Sequence, residues 1–295
     1  MYKPNSERVS SLKLCAAFVA IAWSTASVSA NGTDKSQYHL FHPTPRESMR
    51  ELSTDRPDQT ESPYTVDAGH FQFEWDFVNY VYDRHNAAHA NERVETFTVM
   101  PVNLKAGLCN YADLQVVIDS FVHERTKDFA AGTSETREGF GDVTTRLKIN
   151  FWGNDGGKTA LGTLAYVKFP TAQDGLGNNV VEPGILFPFS AELPAGFGMG
   201  AMTGVEFTAG DSQKLRHADF VNSITVGHDI VGNLGAYVEF FTVVSTQDSS
   251  DWVGAVDGGF VYAVTENIQL DAGVNVGVTR AADDINPFVG MSVRY

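Results

Sequence analysis

Apolar and polar residues alternate along residues 139–151, GFGDVTTRLKINF. One side of an extended chain would carry Val143, Thr145, Leu147, Ile149 and Phe151, and the other Asp142, Thr144, Arg146, Lys148 and Asn150. Successive side chains of a strand point to opposite faces, so this stretch predicts a strand with one apolar and one charged face. Such a strand suits a soluble sandwich with the charged face in water, or a membrane barrel with the apolar face in lipid.

Similar stretches of roughly ten to twelve residues recur as far as the last residue, with turn residues between them. We predict about twelve strands: the first begins at Phe71, and the others lie near residues 93–105, 112–123, 140–151, 158–169, 183–193, 196–208, 217–228, 233–245, 252–264, 268–279 and 285–295. This repetition favours an all-β fold, a closed transmembrane antiparallel barrel that is apolar toward lipid and polar toward a lumen. Pro101 and Pro188 fall inside two of these strands, where they require irregular pairing or a bulge.

The predicted connections alternate in length. In chain order they contain about 10, 6, 15, 6, 13, 2, 8, 4, 6, 3 and 5 residues. Bacterial outer-membrane barrels have short periplasmic turns and longer outer loops, whereas a soluble sandwich has no reason for such alternation. An even number of strands also predicts that both ends of the barrel chain lie on the periplasmic side.

Residues 1–30 have the pattern of a secretory signal peptide. A basic start with Lys3, Arg8 and Lys13 is followed by an apolar run, 14–23, that is too short to cross a bilayer, and by a small-residue cleavage site at 28–30. We therefore expect a cleaved signal peptide and localisation in the bacterial outer membrane. Of the two cysteines, Cys15 lies in this segment, which leaves Cys109 without an intramolecular disulfide partner.

Residues 31–68 are polar and proline-containing and show neither helical nor strand periodicity, so we expect an extended arm before a barrel at 69–295. The arm ends in TDRPDQTESP at 54–63. Two interpretations remain open for this stretch: a proline-fixed turn that caps its own backbone, or a plug that folds into the barrel mouth. The plug hypothesis follows because charged side chains cannot enter lipid and the prolines disfavour a further wall strand.

The charge balance limits the range of partners. The chain carries a formal net charge of −15, and near −17 without residues 1–30, so we expect no nucleic-acid partner. No Cys/His spacing resembles a metal site, and we expect no metal and no cofactor. The expected partners are outer-membrane lipid, the barrel-assembly machinery and a small-molecule solute.

Alternation assigns the outward and inward residues of the predicted strands. The membrane-facing candidates are Phe71, Phe73, Trp75, Phe77, Leu147 and Phe151. In the last strand, Val293 and Tyr295 share the apolar face, and an aromatic residue at the chain end resembles the terminal signal that barrel-assembly machinery reads. The alternative is an ordinary edge strand that happens to end at an aromatic residue.

The inward set forms the candidate lumen lining. It contains the acids Glu74, Asp76, Asp119, Asp142, Glu192, Glu206, Glu239, Asp257 and Asp271 and the bases Lys105, Arg146, Lys148, Lys168 and Arg294. The arm adds Asp55, Arg56 and Asp58, of which we expect Arg56 to pair with Glu74 or Asp271, and Asp55 and Asp58 with Lys148, Arg146 or Arg294. The excess of acids predicts a modest cation bias if the lumen is open. The alternative is that these charges pair with one another and close the lumen.

Four stretches are distinctive: TDRPDQTESPYTVDAGHFQFE at 54–74, GFGDVTTRLK at 139–148, YVEFF at 237–241 and IQLDAGVNVGV at 268–278. Through them the chain resembles the outer-membrane transporter-like family named for the meta-pathway of phenol degradation. The resemblance implies a porin-like barrel linked to the passage of small compounds, hydrophobic or aromatic ones among them. It identifies no solute.

Three functions are compared on this basis. The first is a channel or passive transporter for small molecules, and the alternative is a closed structural or surface-interaction barrel without transport. An outer-membrane lipid hydrolase is least favoured, because Ser223 and His228 have opposite parity on a regular strand and would face opposite sides. We therefore predict no enzymatic activity and no catalytic residues. The solute, an open or plugged lumen and the oligomeric state are not determined by the sequence.

Overall fold

The fold is an antiparallel β-barrel. The computed structural model describes residues 34–86, 91–209, 216–247 and 250–295, and the predicted signal peptide lies outside these ranges. The strands are β1 (Phe71–Asp83), β2 (Glu92–Cys109), β3 (Ala112–Asp128), β4 (Thr133–Gly139), β5 (Val143–Trp152), β6 (Thr159–Phe169), β7 (Glu182–Glu192), β8 (Phe197–Ala209), β9 (Arg216–Val231), β10 (Leu234–Ser245), β11 (Val253–Thr265), β12 (Ile268–Gly277) and β13 (Ile285–Arg294). Short 3-10 turns occur at Arg46–Ser48 and Pro194–Gly196.

The barrel closes because β1 pairs with β13, from Gln72 opposite Arg294 to Tyr82 opposite Ile285. The first half of β3 pairs with β5 and its second half pairs with β4. The ring therefore contains twelve strands, β1–β3 and β5–β13, while β4 lies outside it. The predicted twelve-strand transmembrane barrel is confirmed.

Strand β4 is the element that the sequence analysis missed. Its residues TSETREG include no apolar side chain, so alternation gives no signal there. The predicted strand 140–151 begins at Val143, and Asp142 lies before it in a loop, where its carboxylate accepts hydrogen bonds from the N–H groups of Thr171 and Ala172, both at 2.9 Å. The assignment of Asp142 to a strand was wrong.

The first barrel strand begins and the last barrel strand finishes at the same side of the barrel. The Phe71 N–H donates to the Tyr295 carbonyl at 3.2 Å, and the Tyr295 N–H donates to the Phe71 carbonyl at 2.8 Å. The turns that follow β2, β5, β7, β9 and β11 meet at this end, which we call the short-turn end, and the longer connections meet at the opposite, long-loop end. This arrangement matches the expected alternation of connection lengths.

The two faces of the wall differ in chemistry. Outward residues such as Phe73, Leu147 and Phe151 are exposed, whereas inward residues such as Glu74 and Lys148 are buried. Phe71 and Phe77 are also exposed, and Trp75 is half-buried and meets the Phe77 ring edge-on at 6.0 Å. The polar interior is therefore inside the ring and the apolar surface is outside it, as a transmembrane barrel requires. None of the helical turns in the described part of the chain has the length and apolarity of a transmembrane helix.

We expect Leu147→Arg to destabilise the membrane-inserted barrel by about 2 to 4 kcal/mol, because it places a charge on the lipid face. Leu147→Met is the matched control, since it keeps an apolar side chain of similar size. Urea titration of the protein refolded into lipid vesicles measures the difference. Equal midpoints for the two variants would contradict the outward assignment of this face.

Candidate functional site

The arm enters the barrel from the short-turn end and folds into its interior. We call residues 54–66 of the arm the inner segment. Its first acid, Asp55, forms ion pairs with Lys105 at 2.5 Å and with Lys148, and its N–H donates to Glu74 at 3.2 Å. Burial alone would raise the pKa of the Asp55 carboxyl, but the nearby cations Lys105, Lys148 and Arg146 hold that pKa well below its ordinary range. Asp55 is thus an ionised side chain buried among three bases of two wall strands, β2 and β5.

Arg56 bridges two acids of the wall. Its Nη2 lies 2.6 Å from Asp271 and 2.5 Å from Asp76. In the ladder Asp271 and Asp76 both pair with Gly290 of β13, so the two carboxylates flank a position that has no side chain. A Cβ atom at Gly290 would lie 2.1 Å from Arg56 Nη2, so the guanidinium occupies the space that a side chain would fill.

The next contacts reach the opposite wall. The Gln59 N–H donates to Glu239 at 2.7 Å, and the Gln59 side-chain amide donates to Asp257 at 2.9 Å. Thr60 donates to Glu239, and its hydroxyl lies 2.6 Å from that of Ser223. Glu239 and Asp257 are directly opposite on β10 and β11, and the inner segment supplies hydrogen-bond donors to both carboxyl groups.

The segment then returns toward the barrel rim. Glu61 forms an ion pair with Arg146, and the Asn150 side chain donates to the Pro63 carbonyl at 2.9 Å. The Val66 N–H donates to Asp113 at 2.9 Å. Nearer the rim, Asp67 meets Arg50 at 3.3 Å and Arg294 at 3.5 Å. The inner segment is therefore a loop that enters and leaves the lumen at the same end.

Asp58 differs from the other charged residues of the inner segment. None of the ion pairs in the described ranges includes it, and the wall side chain that interacts with its carboxyl group is the neutral Thr225. Burial raises the pKa of Asp58 to about 7, and the charges of Glu61 and Asp55 act in the same direction. The expected pairing of Asp58 with Lys148, Arg146 or Arg294 was wrong, because Asp55, Glu61 and Asp67 hold those three bases.

We expect the inner segment to dock more tightly as the pH falls from about 8 to about 5. The docked state favours the protonated form of Asp58, since its pKa rises from an ordinary 3.8 to about 7 on docking. Its contribution to docking is complete below about pH 4 and is lost as the pH rises through about 7. Asp55 has the opposite effect. Its contribution to docking is lost only as the pH falls below the ordinary pKa range of a carboxyl group, because docking lowers its pKa.

Hydrogen exchange of residues 54–66 as a function of pH, corrected for the intrinsic exchange rate, measures this dependence. Glu61, Asp55, Glu239 and Tyr237 also surround Asp58, so Asp58→Asn is needed to assign the effect. The variant should be protected equally at both ends of this pH range. A variant that kept the wild-type dependence would show that another group is responsible.

A second polar cluster lies toward the long-loop end, beyond the described contacts of the inner segment. Lys168 pairs with Glu182, and the Tyr166 hydroxyl donates to Glu206. Asp119 on β3 is half-buried. Its backbone carbonyl accepts a hydrogen bond at 2.9 Å from the N–H of Gly141, in the loop that contains Asp142. Glu192 has the inward parity of Leu186 and Pro188, but it is the last residue of β7 and is exposed.

Between these polar regions, one wall of the lumen is apolar. Leu164, Leu186, Met202 and Val221 come from four consecutive strands, β6 to β9, and form a buried cluster. Tyr166, Phe241 and Val243 pack against it. We call these seven residues the apolar cluster. Sequence reasoning assigned only charged residues to the lumen, although apolar residues at the inward parity of β6 to β10 were the available signal.

A cavity of about 420 Å³ separates the inner segment from strands β7 to β11 near the short-turn end. Asp58, Tyr64, Thr225 and Tyr237 are among its lining residues. A second space of about 930 Å³ lies at the rim, between the arm and the turn after β11. The lumen therefore holds both the inner segment and unfilled volume beside it.

Residues 54–295 match the family described as "Putative MetA-pathway of phenol degradation". The chain belongs to this family. The matching region begins at Thr54, the first residue of the inner segment, and ends at Tyr295. The inner segment and the barrel thus fall within one family region, and the predicted resemblance is confirmed.

Comparison with curated proteins finds no match. Among solved structures, the NanC porin is 12% identical with a TM-score of 0.47, covering 73% of this chain and 98% of its own. The beta domain of the Bordetella autotransporter Brka is 11% identical (TM-score 0.48, 77% and 99%), and the transport unit of AIDA-I from Escherichia coli is 10% identical (TM-score 0.46, 83% and 92%). The twelve-strand closure of this family member rests on its own strand pairing, not on these similarities.

Ser223 and His228, the residues considered for catalysis, do not contact each other. Ser223 is buried in the lumen beside Thr60, whereas His228 is exposed and contacts the Ala195 carbonyl at 3.1 Å. The two side chains belong to opposite faces of β9, as their parity predicted. His217 lies at the other end of β9, beside Thr208 and Asp219.

The two residues of the predicted assembly signal lie on the outer face of β13. Val293 pairs with Phe73 of β1 and with Ile268 of β12, and Tyr295 is 76% exposed beside the seam between β1 and β13. Their recognition by assembly machinery stays a prediction.

Proposed function

We propose that this protein is an outer-membrane channel that passes small molecules, apolar and aromatic ones among them, through a lumen narrowed by the inner segment. The apolar cluster is the observation that carries this proposal. A lumen that served only ions would gain nothing from leucine, methionine and valine side chains facing inward. Contact with such side chains favours an apolar solute, because it removes apolar surface from water.

The division of the lumen into two walls supports the same proposal. The charged wall, with Lys105, Lys148, Asp76 and Asp271, is engaged by the inner segment, while the wall formed by β6 to β10 offers apolar side chains and inward glycines. A solute that moves along the apolar cluster of the second wall would avoid the ion pairs of the inner segment. Displacement of the inner segment would widen this route without breaking strand pairing.

The proposal includes the route to the membrane. Export through the predicted signal peptide and insertion by the barrel-assembly machinery, which reads the Val293 and Tyr295 face, would place the outward apolar surface in outer-membrane lipid. Membership of the phenol-degradation family supports a link to small aromatic compounds. It does not identify the solute.

Solute flux into proteoliposomes tests the proposal. We expect benzyl alcohol to enter faster than a polar solute such as glycerol, relative to protein-free liposomes. Replacing Leu186 with Asn and Met202 with Gln keeps side-chain volume but makes the apolar cluster polar, and it should reduce the benzyl alcohol to glycerol ratio. An unchanged ratio in a variant that still shows heat-modifiable folding would contradict the role of the apolar cluster.

A closed structural barrel is the second candidate. The many contacts of the inner segment favour it, because buried ion pairs such as Asp55 with Lys148 fill the lumen. This candidate predicts no conductance of the whole protein in planar bilayers. Single-channel recording therefore separates the two.

A further inference from the structure

The cavity of about 420 Å³ beside the inner segment is formed by the absence of side chains on the wall. Gly198 and Gly227, which pair across β8 and β9, line it together with Gly200 and Gly235. A Cβ atom at Gly198 would meet nothing within 4 Å, so this glycine borders open space. At Gly200 a Cβ atom would lie 2.7 Å from the Thr225 methyl group and 3.2 Å from that of Thr60, so the wall and the inner segment approach each other there.

The cavity has a distinct chemical character. Its acidic lining residues within the described ranges are Asp58, Glu61 and Asp229, its titratable base is His228, and none of its described lining residues is Lys or Arg. Glu61 is already paired with Arg146, whereas Asp58 has only the neutral partner Thr225 on the wall. Asp58 is half-buried, and a carboxyl group partly removed from water without a cation beside it favours either a proton or a positive charge as its partner.

Aromatic side chains complete the site. The rings of Tyr64 and Tyr237 line the same cavity, and Tyr64 is held by a hydrogen bond from Ser190 at 3.0 Å. The Tyr237 hydroxyl is buried and has no hydrogen-bond partner among the described residues. Aromatic faces attract cations, and the effect grows when water is excluded.

We propose that this cavity binds a small aromatic cation, with a protonated amine against Asp58 and the ring against Tyr64 and Tyr237. Its volume is in the lower part of the range typical of ligand pockets, which suits one aromatic ring with a short side chain. The site goes beyond the proposed channel function, because binding requires only the docked inner segment and not transport. The ammonium group replaces the proton on Asp58, whose pKa of about 7 in the empty site then predicts tighter binding at higher pH.

Isothermal titration of the purified full chain in detergent micelles tests the site. Three probes share one ring and differ in charge: benzylamine, benzyl alcohol and benzoate. We expect measurable binding of benzylamine, with affinity that rises from about pH 5.5 to about pH 8, and weaker or undetectable binding of the other two.

Asp58→Asn should weaken benzylamine binding by about tenfold or more, because it removes a charge-assisted hydrogen bond. Asp251→Asn makes the same change at an exposed loop residue and should leave the affinity unaltered. Gly198→Leu should also abolish binding, since its side chain fills the cavity while its Cβ atom meets no neighbour. Heat-modifiable folding of each variant excludes loss of the barrel.

Equal affinity for benzylamine and benzyl alcohol would overturn the proposal, as would full benzylamine binding by Asp58→Asn or Gly198→Leu. These results are independent of conductance. A protein that binds benzylamine but passes no solute would disprove the channel function and leave the site intact.

Discussion

Replacing Asp55 with asparagine is expected to release the inner segment from the lumen. Asp55 is the single ion-pair partner of Lys148 among the described residues, and it also pairs with Lys105. The side chains of all three residues are almost completely buried, with exposed fractions of 4% or less. Removal of one partner from such a group leaves an unpaired buried charge and costs about 3 to 5 kcal/mol.

That cost acts on docking more than on the barrel, because the strands pair through their backbones. A loss of about 3 kcal/mol shifts the ratio of docked to released states by more than about 100-fold. We therefore expect the N–H groups of Asp55, Gln59 and Val66, which are hydrogen-bonded to the wall, to exchange with deuterium much faster in the variant. Single-channel conductance should rise several-fold.

Asp34→Asn is the matched control for this prediction. It makes the same chemical change in the same arm, but Asp34 is exposed and its described contact is local, with Ser36. Exchange and conductance should equal those of the wild type. If Asp55→Asn behaved like Asp34→Asn, the ion pairs with Lys105 and Lys148 would not hold the inner segment.

Removal of residues 31–62 is expected to give the largest increase in conductance. The barrel should still fold, because β1 begins at Phe71 and its pairing with β2 and β13 does not involve the deleted residues. The lumen loses residues 54–62 of the inner segment together with their ion pairs and gains water around Lys105, Lys148 and Glu74. Ions then cross a wider and more hydrated path.

Planar-bilayer recordings of the deletion variant and the full chain measure this effect. Alanine substitution of residues 36 and 37, which are exposed and lie outside the lumen contacts of the inner segment, provides a control for changes to the arm that leave docking intact. A deletion variant that showed heat-modifiable folding and wild-type conductance would mean that the inner segment does not limit the path.

Much of the barrel was predictable because lipid and lumen impose opposite chemistry on alternate residues. Adjacent residues show this contrast, as in Phe73 and Glu74 or in Leu147 and Lys148. The same alternation continues through most strands. Strand β4 does not show this alternation, because it lies outside the ring and has no lipid face. Asp142 was misplaced because the predicted strand extended into the loop before Val143.

Contacts across the lumen were harder to predict. Arg56 was correctly predicted to pair with Asp271. Its second partner, Asp76, lies in one cross-strand row with Gly290 and Asp271, and this row can be identified only when the register of three strands is known. Asp58 has a neutral partner because the bases expected for it are engaged by other acids. Local periodicity specifies the face of a residue, but it does not specify which of several opposite charges lies within reach.

The apolar cluster shows the same limitation. Leu164, Leu186, Met202 and Val221 have ordinary apolar identities, and only parity relative to neighbouring charges places them inside. Their association depends on the alignment of four strands.

A reversible cross-link of the inner segment tests the central claim, that its docking controls the lumen, most directly. The hydroxyl oxygens of Thr60 and Ser223 are 2.6 Å apart, so cysteines at these two positions can form a disulfide, in a chain with Cys109→Ala and the releasing change Asp55→Asn. We predict low conductance under oxidising conditions and a several-fold increase when a reductant is added to the same bilayer. Equal conductance before and after reduction, with disulfide formation and cleavage verified by mass spectrometry, would contradict the account.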